Sequence, residues 1–166
     1  MAIYSVANFN SDSTTDIFGQ SFCPGDPGPN GNGPPPMSEV ILIGVSLGYP
    51  TYDEKNRSSL CFIYNCPLDD LSKIGQQQNL VGTSFKCIDS SEGGAYTRTY
   101  FFEDVTLKTG AAYYIYFSGD PQTVNASSDA AYDSGSIWDF NFDEDHDLTA
   151  VFQVELLGDD SSSPSP

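Results

Sequence analysis

The chain has 166 residues and a formal net charge of -17, and all six of its Lys and Arg fall between Lys55 and Lys108. A surface that acidic repels nucleic acid and anionic membrane faces and attracts cations or a basic protein partner, and no apolar run reaches the roughly 18 residues of a membrane-spanning helix. Ten Tyr, eleven Phe, fifteen Gly and eleven Pro point to strands and turns instead of helices.

A chain of this length is expected to form one domain, over residues 1–157, burying roughly 70% of the surface of its unfolded form. Residues 1–6 lack a basic start and a continuous apolar run, so no secretory leader is expected. Residues 3–9 and 17–22 predict the first two strands. Residues 24–36, PGDPGPNGNGPPP, have few backbone donors and predict a loop or an extended arm, of a length that is usually functional or docked.

Residues 40–47 are apolar nearly throughout and predict a central strand covered on both sides. Residues 60–65 predict a strand, and residues 67–74, opened by Pro67 and stopped by Gly75, are the one stretch with helix punctuation. Residues 80–88, 96–102, 112–117 and 148–156 complete about eight strands, with turns at Gly93-Gly94, Lys108-Thr109-Gly110, Gly119-Asp120-Pro121 and Ser134-Gly135. The expected fold is all-β, a jelly-roll-like antiparallel sandwich with at most one short helix. The tail 158–166, GDDSSSPSP, has nothing apolar to bury and is expected to order only on contact.

Cys23, Cys61, Cys66 and Cys87 form an even set without a C-x-x-C pair, which leaves disulfides and buried thiols as alternatives. A Cys66–Cys87 bond would staple neighbouring strands, and a Cys23–Cys61 bond would tie down the Pro/Gly loop. In an extended backbone Asp139, Asn141, Asp143, Asp145 and Asp147 face one way and Trp138, Phe140 and Phe142 the other. Alternate hard oxygens suit calcium, although Glu144 stands where a helix-loop-helix calcium loop needs Gly; the plainer reading is a solvated acidic strand edge. The single His146 has no Gly-framed Ser beside it in sequence, and no phosphate-cradling loop with a Lys appears, so catalysis is not expected. Tyr49, Tyr52, Tyr96 and Tyr132 fall in or beside predicted loops, where aromatic rings are presented for stacking on sugars; the plainer reading is that they line strands and loop bases.

Between residues 17 and 156 the order of motifs resembles a group of bacterial extracellular β-sandwich domains, frequent in cyanobacteria and often joined to a surface anchor. Gly19-Gln20-Ser21-Phe22 looks like the opening strand, Leu107-x-x-Gly110-x-x-Tyr113-x-Ile115 like a late strand, and Tyr132-Asp133-Ser134-Gly135-Ser136-Ile137-Trp138 with Asp147-Leu148-x-x-x-Phe152-x-Val154 like the closing elements. The resemblance implies a binding or display role with no catalytic residues to carry over.

As a standalone acidic module the chain is also similar to phage capsid cement or decoration proteins. The leading expectation is therefore a non-enzymatic virion protein that stabilises a shell. Pro24, Pro34, Pro35 and Pro36 and the tail residues Asp159 and Asp160 would act as arms on major capsid protein subunits or on other copies of the chain. A carbohydrate-binding or adhesin module, on a phage tail appendage or a secreted surface protein, is the alternative.

Overall fold

Alternation of buried and half-buried side chains, clearest over Phe152–Gly158 and Tyr113–Phe117, builds two antiparallel sheets that bury their facing sides against each other. The computed structural model describes residues 2–34, 38–51, 58–68, 76–91, 96–128, 131–139 and 141–159. Among them are fourteen strands: β1 (Ala2–Asn8), β2 (Ser13–Phe22), β3 (Glu39–Tyr49), β4 (Cys61–Tyr64), β5 (Leu80–Thr83), β6 (Lys86–Ser90), β7 (Tyr96–Phe101), β8 (Thr106–Lys108), β9 (Tyr113–Phe117), β10 (Gln122–Ser127), β11 (Ile137–Asp139), β12 (Glu144–Asp145), β13 (Thr149–Ala150) and β14 (Phe152–Gly158). The all-β fold class matches the expectation, and the helical content of the described residues is one 3₁₀ turn at Gln77–Asn79.

The first sheet runs β1-β14-β3-β7-β6, with β8 also paired to β3; the second runs β12-β11-β2-β9-β4-β5, with β10 beside the first half of β2 and β13 beside β10. Val6, Leu42, Leu47, Tyr100 and Val154 from the first sheet meet Ile17, Phe22, Ile63, Ile115 and Phe117 from the second in one core. Burying each such side chain contributes about 1.5–3 kcal/mol. The last long strand region passes between sheets at Val151, whose N–H donates to Asn125 O and whose carbonyl accepts from Gly48 N.

Several expectations are corrected. The stretch 80–88 is two strands in different sheets, because Ser84 makes a corner: its N–H donates to Cys61 O and its hydroxyl accepts from Cys61 N. Residues 40–47 are not covered on both sides, since Ile41 on the outer side is 38% exposed. Of the predicted helical residues 67–74, only Pro67 and Leu68 lie within the described residues.

Residues 24–34 do not project as an arm. Asn32 and Ser5 exchange backbone hydrogen bonds of 3.0 and 2.9 Å, Ala7 N donates to Pro27 O, and Pro24 and Pro34 are buried. The physical reason is that β1 lies at the end of its sheet and offers unpaired backbone groups, which this loop satisfies and so shields from other chains. Asp159 is likewise tied to the body, its carbonyl accepting from the Tyr4 hydroxyl at 2.5 Å. Pro35, Pro36 and Asp160 lie outside the described residues.

No disulfide joins the cysteines. Cys61 faces the core between the sheets, Cys66 packs with Trp138 on the far side of the second sheet, and Cys87 lies on β6 of the first. Cys23 is held by its own thiol, which donates to Thr109 O. Cys66 and Cys87 are therefore on opposite sides of the second sheet, and burial pushes the Cys61 thiol up, favouring its neutral form.

Candidate functional site: an aromatic outer sheet face

The outward side of the second sheet is not a polar surface. Across its strands Trp138 stands opposite Gly19, Gly19 opposite Tyr116, and Tyr116 opposite Phe62, so this row points away from the core whose next row is Ile137, Gln20, Ile115 and Ile63. Two residues along each strand come Ser21, Tyr114, Tyr64 and Leu80. A second cluster results, Tyr64, Cys66, Leu68 and Trp138 with Phe62, Leu80, Tyr114 and Tyr116 packed around it.

The rings touch in a continuous series. Phe142 stacks on Phe18 at 4.2 Å between centroids and 13° between planes, and Phe18 lies 6.4 Å from Tyr116. Tyr116 lies 6.2 Å from Phe62 and meets Tyr64 edge-on at 6.2 Å. Tyr114 meets Trp138 edge-on at 5.4 Å. These are the offset and T-shaped geometries that ring quadrupoles favour. Phe18, Phe62, Tyr116 and Phe142 remain half-buried, each with part of its surface open to solvent. Burial, with Tyr64 beside it, raises the Tyr116 hydroxyl above the usual phenol range.

Local sequence explains how the face is held. Gly19 leaves the space that Leu68 occupies; a Cβ there would run into Ile115 O and the Leu68 side chain. Phe142 has φ 60, a left-handed conformation that a bulky residue adopts only under constraint. The constraint is the β11–β12 hairpin: Phe142 N donates to Asp139 O, Asp139 N donates to Asp143 O, and the Asp139 carboxylate accepts from Asn141 N and Asp143 N. The turn thereby lays Phe142 over Phe18.

That hairpin also overturns the extended acidic strand. Asp139, Asn141, Asp143, Asp145 and Asp147 do not share one face, because the chain reverses between β11 and β12. Asp139 is occupied by its own turn and the Asp145 carboxylate by Asp147 N at 2.9 Å. Among the described residues no group of three or more His, Cys, Asp and Glu gathers as a metal site.

Of the sugar-stacking tyrosines predicted from sequence, Tyr49 faces the core and is 3% exposed, its hydroxyl donating to Gln122 Oε1. Tyr132 is 1% exposed; its hydroxyl accepts from Cys23 N and lies within hydrogen-bond distance of Cys23 O and Asp26 O, so it clamps the loop and offers nothing to solvent. Tyr96 is half-buried at the edge of the core, and Tyr52 lies outside the described residues. The rings that do share a face, Phe18, Phe62, Tyr116 and Phe142, were missed, although Phe62, Tyr64, Tyr114 and Tyr116 alternate with core residues in sequence. That alternation is the signal that a sheet carries aromatics on its outer side.

A Ser-His-Glu series also appears. The Ser136 hydroxyl is 2.6 Å from His146 Nδ1, and His146 Nε2 is 3.4 Å from Glu144 Oε1. Ser136 is 2% exposed, its N–H donates to the Ser21 hydroxyl, and Gly135 N donates to Tyr132 O. The Ser136 hydroxyl is thus closed to solvent, and the N–H groups of Gly135 and Ser136 are already engaged. The Ser136–His146 contact closes the base of the β11–β12 hairpin, and Ser136 N ties that base to Ser21 of β2.

No protein-family model matches the chain, and neither a curated protein nor a solved structure matches it.

Proposed function

We propose that this protein is a non-catalytic binding module that takes a carbohydrate chain across the outer face of its second sheet. The observation that carries this reading is the series Phe142, Phe18, Tyr116 and Phe62, half-buried rings from the β11–β12 turn and from adjoining strands β2, β9 and β4. Aromatic faces suit the apolar faces of sugar rings because they present large area and lose little conformational freedom on contact. The rings span several neighbouring strands, so more than one sugar of a chain can be contacted at once.

A capsid-cement role would need arms that reach neighbouring subunits, and residues 24–34 are engaged with the molecule's own β1. Display on a virion or cell surface remains the setting we infer for a sugar-binding sandwich of this kind. Titration with soluble oligosaccharides tests the reading. Tyr116→Ala and Phe142→Ala should each weaken binding about tenfold, a loss of about 1.4 kcal/mol, with the circular dichroism spectrum unchanged, while Tyr96→Ala should not. Failure of every oligosaccharide to bind, or binding that survives both substitutions, would overturn it.

A further inference from the structure

We infer that Asn32 is a site of intramolecular modification, whose side-chain amide is lost to the backbone nitrogen of Gly33. The isoaspartyl product releases the loop that seals the β1 edge of the first sheet, whatever the aromatic face of the second sheet binds. The loop holds two Asn-Gly pairs, Asn30-Gly31 and Asn32-Gly33, and both asparagines are exposed. Asn-Gly is the pair in which this reaction runs most readily, because glycine has no side chain to obstruct its own nitrogen.

The surroundings separate the two pairs. The Asn30 side chain is held, its Oδ1 accepting from Phe9 N at 2.7 Å. Gly31 is packed against backbone, where a Cβ would lie 2.1 Å from Pro27 O and 2.5 Å from Ser5 O. By contrast, among the described residues neither the Asn32 side chain nor Gly33 N makes a hydrogen bond. A Cβ on Gly33 would meet only the Pro27 ring, at 3.2 Å.

For the reaction Asn32 must leave its bridge to Ser5, which consists of two hydrogen bonds of 3.0 and 2.9 Å at the end of the sheet. Local opening of so short a contact costs little and is ordinarily reversed by reclosing. While the bridge is open, Gly33 N attacks Asn32 Cγ. The N–Cγ bond forms, the Cγ–Nδ2 bond breaks, and Nδ2 departs as ammonia with the proton from Gly33 N. Water then opens the resulting ring. Addition at Cγ gives aspartate, and addition at the backbone carbonyl carbon gives isoaspartate, whose chain continues through Cβ and Cγ. The oxygen that accepted from Ser5 N then belongs to a carboxylate off the main chain, and the path to Gly33 is longer by a methylene. Pro34, the next residue, is buried, so the added length falls on the bridge. A reversible opening thereby becomes permanent.

The experiment ages the purified full chain in warm, mildly alkaline buffer and follows it by peptide mass spectrometry, isoaspartyl methyltransferase labelling and amide hydrogen exchange. Isoaspartate should accumulate at residue 32 several times faster than at residue 30. In the isolated isoaspartyl form the Ser5 amide should exchange about tenfold faster than in fresh protein, the loss of roughly one hydrogen bond, with the amides of β3 unchanged. Asn32→Gln, which keeps a carboxamide but closes the ring far more slowly, should prevent both changes over the same period. Equal or faster reaction at residue 30, no reaction at residue 32, or an isoaspartyl form whose Ser5 amide stays protected would overturn the inference.

Discussion

Arg98 shows how a single charge is tolerated inside this sandwich. It stands directly opposite Asp89 in the β6–β7 pair and holds both carboxylate oxygens, at 2.7 and 2.9 Å, while its third nitrogen donates to Ser58 O at 2.8 Å. The Tyr100 hydroxyl donates to the same carbonyl at 2.6 Å, so the chain leading into β4 is fixed from two sides. Arg98→Ala should therefore cost about 3 kcal/mol, read as a lower urea midpoint, because it strands the Asp89 carboxylate near the interior and leaves Ser58 O with the Tyr100 hydroxyl alone. Replacing Arg98 and Asp89 together by apolar residues should recover part of that loss. Tyrosines give the alkaline limit. Burial raises Tyr100 and Tyr132 well above the ordinary phenol pKa of about 10. Their neutral forms stabilise the fold fully below that pH, and the contribution is lost as pH rises further, because the unfolded chain ionises first. Melting temperature should fall steeply above about pH 10, and Tyr100→Phe should flatten the fall; a midpoint independent of pH in that range would contradict this.

Strands were the legible part of the sequence and their partners were not. The stretch 148–156, read as one strand, is β13 and β14 in different sheets, whereas alternation located β1, β7 and β9 closely. It missed β10, whose Gln122, Asn125 and Ser127 look like loop, because Gln122 is buried by hydrogen bonds from Tyr49 and Ser58 instead of by apolar contact. The Pro/Gly loop was legible as irregular, but composition alone could not tell that β1 would supply its hydrogen-bond partners. Tyr132→Phe should loosen it selectively. With the hydroxyl bond to Cys23 N lost, amides that bridge loop and β1 should exchange faster, at a cost of about 1–3 kcal/mol. The candidate site was half legible, in that Phe62, Tyr64, Tyr114 and Tyr116 alternate with buried residues. What the sequence hid is the reversal at residues 139–143, which turns an acidic stretch into the clamp for Phe142. Gly19→Ala tests that face's packing, and should destabilise by about 1–3 kcal/mol because Leu68 cannot keep its place.

At the scale of the whole molecule, both sheets cover the core and the second carries aromatic rings on its outer side. An outer face this apolar is unusual for a surface that only meets water, where polar residues ordinarily alternate with core ones. Its residues are fixed by strand register and by one strained turn, so a ligand meets a formed surface with little left to order. The most direct measurement is nuclear magnetic resonance of the isotopically labelled protein during titration with soluble oligosaccharides. Saturable shifts of the Phe18, Phe62, Tyr116 and Phe142 ring signals, with the Ile3, Ile41 and Ile88 methyls of the first sheet unmoved, are what the proposed binding face predicts. Shifts confined to the first sheet, or no shifts with any oligosaccharide, would contradict it.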